Sequence, residues 1–146
     1  DARRIVKAAY TEYGAPSYVL GESLGCAVAA AVCSGESPVK GCLLITPWDS
    51  LSRVAQHHYW YFPVRYFLRD SFDSIAYLQA FSGSVGVVLA DQDSLIPSKH
   101  GERLYESIAC RKKLWQLPEV GHNNWMQAVD ALLWHEVLTF MSESSE

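Results

Sequence analysis

Ile5, Val6, Ala9, Tyr10 and Tyr13 recur at the three- and four-residue intervals that line one face of a helix, and Gly14 with Pro16 ends the run. Asp1 stands where an N-cap belongs. Ser17–Leu20 is a short β-type run closed by Gly21. From residue 24 to residue 33 nearly every position is alanine, valine or cysteine, which predicts a slim helix able to pack closely on a sheet. Residues 41–46 and 85–90 are continuously apolar rather than alternating, the pattern of strands buried on both faces. Residues 99–110 read as a helix, 113–117 as a fourth strand and 125–141 as a closing amphipathic helix, with 142–146 as a loose tail.

Strands separated by helices form βαβ units, so the expected class is α/β, with a mostly parallel sheet flanked by helices. Residues 48–81 break this rhythm. Tyr59, Trp60, Tyr61, Phe62, Tyr66, Phe67 and Phe72 crowd around Pro63 in a stretch too long for a plain connection, and it reads as a helical, cap-like insert within a single domain spanning residues 1–146. The rings from Tyr59 to Phe67 read first as cap packing; the alternative is the wall of an acyl or apolar side-chain pocket.

Twelve Lys and Arg against 16 Asp and Glu leave a formal charge of −4 at pH 7, without the basic footprint that nucleic-acid binding requires. No apolar run reaches the roughly 18 residues of a membrane span. Cys26, Cys33, Cys42 and Cys110 form no C-x-x-C pair and sit in apolar surroundings, which predicts reduced thiols and a cytoplasmic setting.

The chemistry concentrates after predicted strands. Gly21-Glu22-Ser23-Leu24-Gly25 is a G-x-S-x-G at a strand-to-helix turn, where the flanking glycines let backbone and helix approach and the serine hydroxyl projects above the strand end. The plainer reading of Ser23 is a helix N-cap, which leaves the two glycines unexplained. Leu24 would place its backbone N–H at the helix N-terminus, where an oxyanion forms. A serine nucleophile needs a base, and the base an orienting acid. Asp91 and Asp93 follow the third strand and His122 the fourth, on the edge where open α/β sheets hold their ligand chemistry. The order Ser23…Asp93…His122 is that of α/β hydrolases. The adjacent His57 and His58 would point about 100° apart on a helix, a poor metal pair. His100 and His135 fit helix surfaces.

The stretches G-E-S-L-G, T-P-W-D-S-L, F-P-V-R-Y-F-L-R-D-S-F-D-S, A-D-Q-D-S-L-I-P and G-H-N together resemble the C-terminal part of an α/β-hydrolase-fold serine hydrolase. The resemblance is nearest to the serine aminopeptidase-like and bud-emergence-type branch, which includes protein depalmitoylases. It implies Ser23 as nucleophile, His122 as base and Asp93 as the acid, with Asp91 as the alternative, a turn former. Two positions depart from the family pattern: Glu22 puts a charge beside the turn, and Ala90 stands where glycine is usual. The resemblance also implies three or four further strands before Asp1, including the loop that donates a second oxyanion N–H. On that reading Ser17–Leu20 is an unpaired edge open to self-association. The implied activity is cleavage of an ester, thioester or peptide amide in a small-molecule or acylated substrate, with no metal or organic cofactor. The alternatives are acyl transfer by the same three residues, or a non-catalytic hydrolase-like module.

Overall fold

The computed structural model describes residues 2–14, 17–68 and 72–143. The readings of Asp1 as a cap, of Pro16 as a helix stop and of the last three tail residues lie outside these. Four strands, β1 (Ser17–Glu22), β2 (Val39–Ile45), β3 (Ser84–Ala90) and β4 (Lys112–Leu117), form one parallel sheet in the order β1-β2-β3-β4. The four strands read from the sequence are the four observed, each longer by one or two residues.

Strand geometry sends alternate side chains to opposite faces, and here both faces are covered. Cys42, Leu44, Val85, Val87 and Leu89 join one core with the helix α2 (Leu24–Cys33) and with Leu78 and Leu104. Leu43, Ile45, Val88 and Ala90 join a second core with Trp115, Trp125, Val137 and Phe140. The continuous apolar runs have this origin. A fully buried Val or Leu contributes about 1.5–3 kcal/mol over an exposed one, so the two central strands carry much of the stability.

Helix α1 (Ala2–Tyr13) buries none of its residues and touches the first core through Ala2 and Val6. It ends at Gly14, which takes φ +62° and donates its N–H to the Tyr10 carbonyl at 2.8 Å. Between β2 and β3 the chain forms helix α3 (Leu51–His58), a 3-10 turn at Val64–Tyr66 and helix α4 (Ser74–Leu78), so the insert carries helices as expected, while Tyr59–Phe62 and Phe67 lie in turns between them. Of its rings, Phe72 packs against a third core of Ala27, Trp48, Val54 and Ile96, whereas those from Tyr59 to Phe67 stay largely exposed. Trp60, Tyr61, Tyr66 and Phe67 are all exposed, Trp60 by 80%, and the rings meet one another instead: Phe62 and Phe67 lie 4.7 Å apart and Trp60 and Tyr61 6.0 Å apart. The Gln56 side-chain amide N–H groups, one of them shared, reach the carbonyls of Tyr59, Trp60 and Phe62 and tie this turn to the end of α3.

After β3, helix α5 (Ser98–Ser107) leads to β4. The predicted closing helix divides in two, a 3-10 turn at Trp125–Ala128 and helix α6 (Ala131–Ser142). Asp130 causes the break. Its backbone is extended, and its carboxylate accepts the Leu133 N–H at 2.8 Å, an N-cap that restarts the helix. Among the described residues, strand β1 pairs with β2 alone. Beside it, a groove of about 470 Å³ runs between β1 and α6, lined by Leu20, Leu43, Trp134 and Leu138 among others. No helix among the described residues is long and apolar enough to cross a membrane.

Candidate active site

Ser23 joins β1 to α2 with φ +51° and ψ −119°, a conformation that costs an L-residue on the order of 1–3 kcal/mol. It holds the N-cap position of α2, yet its side chain makes no capping hydrogen bond. The turn is held from below, where the Ser23 N–H donates to the Ile45 carbonyl at 3.0 Å. Gly21 is the glycine that the turn needs: a Cβ there would lie 2.4 Å from the Gly25 carbonyl oxygen and 2.7 Å from Cys26 Cα. Gly25 differs from the expectation, since a Cβ there meets nothing within 4 Å. Beneath the turn, the buried Cys26 thiol donates to the Gly21 and Ile45 carbonyls, both at 3.1 Å, and burial pushes it far above the usual thiol range. That side chain is structural.

The freed Ser23 hydroxyl meets His122. Ser23 Oγ lies 2.9 Å from His122 Nε2, and His122 Nδ1 lies 2.6 Å from Asp93 Oδ2. With the imidazole proton on Nδ1, the hydroxyl donates to Nε2 and Nδ1–H donates to the carboxylate, a continuous relay. The other Asp93 oxygen, Oδ1, accepts the N–H groups of Leu95 and Ile96 at 2.9 and 2.7 Å, so the acid is fixed from its own loop. Asp93 and the His122 ring are both largely buried. Asp91 is exposed on the turn after β3, its N–H on the Leu117 carbonyl, and takes no part in the relay. Leu24, the first residue of α2, is one of the helix N-terminal positions without an intrahelical partner for its N–H.

The loop that carries His122 is tied to both neighbours. Gln92 N–H, in the Asp93 loop, donates to the Val120 carbonyl at 2.9 Å. Trp125, three residues after His122, donates its indole N–H to Glu22 Oε1 at 2.8 Å. Within the loop, Asn124 Oδ1 accepts the Gly121 N–H at 2.7 Å.

A second polar centre was not read from the sequence. Asp49, in the T-P-W-D-S-L stretch after β2, is fully buried and accepts from Arg103 Nη1 at 2.8 Å, His100 Nδ1 at 2.9 Å and the Ser50 N–H at 2.7 Å, with Arg53 at 3.4 Å. His100 is therefore buried, against the expectation of a helix surface, because α5 turns this face onto the loop after β2. His135 is exposed on α6, and His57 and His58 are exposed in the last turn of α3, where His58 Nε2 meets the Leu95 carbonyl at 2.7 Å. Among the described residues no cluster of three or more His, Cys, Asp or Glu is arranged to hold a metal ion.

Burial raises the Asp49 carboxyl, but hydrogen bonds from Arg103, the Ser50 N–H and His100 outweigh it and hold the group below its ordinary 3.8. A carboxyl lowered on folding contributes stability that is present above its unfolded value and is lost as pH falls through the folded one. Asp49→Asn is thus expected to lower stability at pH 7 by about 1–3 kcal/mol, the scale of a charged hydrogen bond. The gap to wild type should narrow below about pH 4. Urea unfolding at pH 7, 4 and 3 measures it; a gap that does not change with pH would deny Asp49 this role.

No family model matches the sequence. Over 104 residues, 71% of this chain, it is 35% identical to the uncharacterized protein Rv2307c of Mycobacterium tuberculosis, and it spans 37% of that relative's length. Its structure is similar to the esterase domain of a Rhodothermus marinus protein, with a TM-score of 0.71, 16% identity and coverage of 95% of this chain and 66% of that one. It is also similar to an alpha/beta hydrolase enzyme from a Medee basin deep-sea metagenome library (TM-score 0.70, 14% identity, 99% and 72% covered). A third similar structure is the monoacylglycerol lipase of Paleococcus ferrophilus (TM-score 0.66, 13% identity, 97% and 74% covered). A four-stranded parallel sheet with helices on both faces, matched over nearly its whole length by these structures, has the α/β-hydrolase fold.

Proposed function

We propose that this chain carries the reacting residues of a serine hydrolase that cleaves carboxylic esters through an acyl-enzyme, in the serine aminopeptidase-like and bud-emergence-type branch of the superfamily. The observation that carries the proposal is the relay Ser23 Oγ–His122 Nε2 at 2.9 Å and His122 Nδ1–Asp93 Oδ2 at 2.6 Å, starting from a serine held at positive φ and not used as a cap.

In the reaction Ser23 Oγ attacks the acyl carbonyl while His122 Nε2 takes the hydroxyl proton. Asp93 keeps the ring in the Nδ1–H tautomer and stabilises the imidazolium. The Leu24 N–H donates to the carbonyl oxygen as it becomes negative. The tetrahedral adduct collapses, the carbon–oxygen bond to the leaving alcohol breaks, and His122 hands that oxygen its proton. Water, deprotonated by His122, then releases the acid and regenerates Ser23. A thioester or peptide amide would enter the same sequence. Esters come first because the similar structures include an esterase domain and a monoacylglycerol lipase. The same machinery needs no metal or organic cofactor. The four free cysteines support a reducing, cytoplasmic setting, and the open edge of β1 supports pairing with a further strand.

The test is a fluorophosphonate probe with the adduct located by peptide mass spectrometry. The expected result is one phosphonyl group on Ser23, absent from Ser23→Ala. A folded chain that takes up no probe would overturn the proposal in favour of a non-catalytic module.

A further inference from the structure

The Glu22–Trp125 hydrogen bond has no part in the relay, yet it joins the two segments whose separation the relay depends on. Glu22 immediately precedes Ser23 and ends β1, the edge strand. Trp125 opens the 3-10 turn that follows His122, and it is buried as part of the second core. The Asp93 loop and the His122 loop are already joined through Gln92 N–H and the Val120 carbonyl, across the neighbouring strands β3 and β4. No such backbone bridge is available to the serine turn, because β1 lies at the opposite edge of the sheet from β4. The 2.8 Å contact between the Glu22 carboxylate and the Trp125 indole spans that distance.

From this arrangement we infer that Glu22 and Trp125 are a positioning pair that sets the Ser23 Oγ–His122 Nε2 distance. The inference rests on the proposed serine-hydrolase reading. It also gives a reason for the charge beside the serine turn. A carboxylate accepts a stronger bond from the indole than a neutral group does. Neither residue touches the reacting atoms, so both act through the geometry of Ser23 and His122.

Displacements of about 1 Å in such a relay cost on the order of 10²-fold in rate. Glu22→Ala and Trp125→Phe are each expected to slow phosphonylation of Ser23 by roughly 10–100-fold, the usual reach of a supporting hydrogen bond. The double variant should be no slower than either single one, since both break the same bond. Glu22→Gln keeps an oxygen for the indole and should recover most of the rate. A Glu22→Ala chain labelled at the wild-type rate would overturn the inference, as would singles whose effects multiply. A second readout separates this inference from the reading it rests on. The Nδ1–H tautomer, held by Asp93, should persist in every variant, while the His122 Nε2 signal, followed by NMR, should report acceptance from the Ser23 hydroxyl in wild type and Glu22→Gln and lose that signature in Glu22→Ala and Trp125→Phe. If wild type takes up no probe, the hydrolase reading fails, and the Nε2 signal alone decides whether the pair sets the Ser23–His122 contact: a signal unchanged in Glu22→Ala overturns the inference.

Discussion

Ser23→Ala, His122→Ala and the double variant are expected to lose turnover of an activated ester by the same amount, roughly 10⁶-fold, because a relay acts as a unit and losing either end removes all of it. The spatial reason is that Ser23 Oγ has His122 Nε2 at 2.9 Å as its proton acceptor, and its strained backbone gives it no capping role. Asp93→Asn should cost less, about 10⁴-fold, by presenting the wrong tautomer with little change of shape. Asp91→Asn should leave the rate close to wild type, since Asp91 faces solvent. The measurement is kcat for each variant beside its unfolding midpoint. Two results would refute the assignment: a double variant whose loss is the product of the singles, or an Asp91 variant as impaired as the Asp93 one.

The second large effect falls on the serine turn itself. Gly21→Ala places a methyl group 2.4 Å from the Gly25 carbonyl oxygen and 2.7 Å from Cys26 Cα, both backbone atoms that cannot swing aside. Forcing β1 and α2 apart should cost about 1–3 kcal/mol in stability, as overpacking usually does. It should also reduce the rate on the order of 10²-fold by moving Ser23 relative to His122. Gly25→Ala is the control. It meets nothing within 4 Å and exchanges glycine for the best helix former, so stability should hold or rise by up to about 1 kcal/mol. Thermal unfolding and probe labelling of the two variants decide the matter; equal behaviour at both positions would show that the turn does not depend on the Gly21 approach.

The same pair of glycines shows how far local pattern reaches. G-x-S-x-G is legible because a sharp strand-to-helix turn has few solutions, but the motif treats its two glycines alike, and only the packing of α2 over β1 separates them. Asp93 over Asp91 is a similar case. Both sit in one short loop with the same charge. The choice is made by the Leu95 and Ile96 N–H groups, which hold Asp93 toward His122, and by the turn, which leaves Asp91 outside. His100 read as a surface residue because helical periodicity places a side chain on a face without saying what covers that face. The covering residue is Asp49, 51 positions earlier in the chain.

The alternation of strand and helix, the apolar runs at β2 and β3 and the order of Ser23, an aspartate after the third strand and His122 were therefore determined by the sequence alone. Each depends on interactions within a few residues, on burial of whole segments, or on the order of positions along one sheet edge. The tertiary structure alone decided the relay distances, the Asp49 centre, the Glu22–Trp125 bond and the outward turn of the aromatic insert. Each of these joins side chains or backbone groups whose meeting depends on how helices and loops pack, and packing is a property of the folded chain that no periodicity along it records.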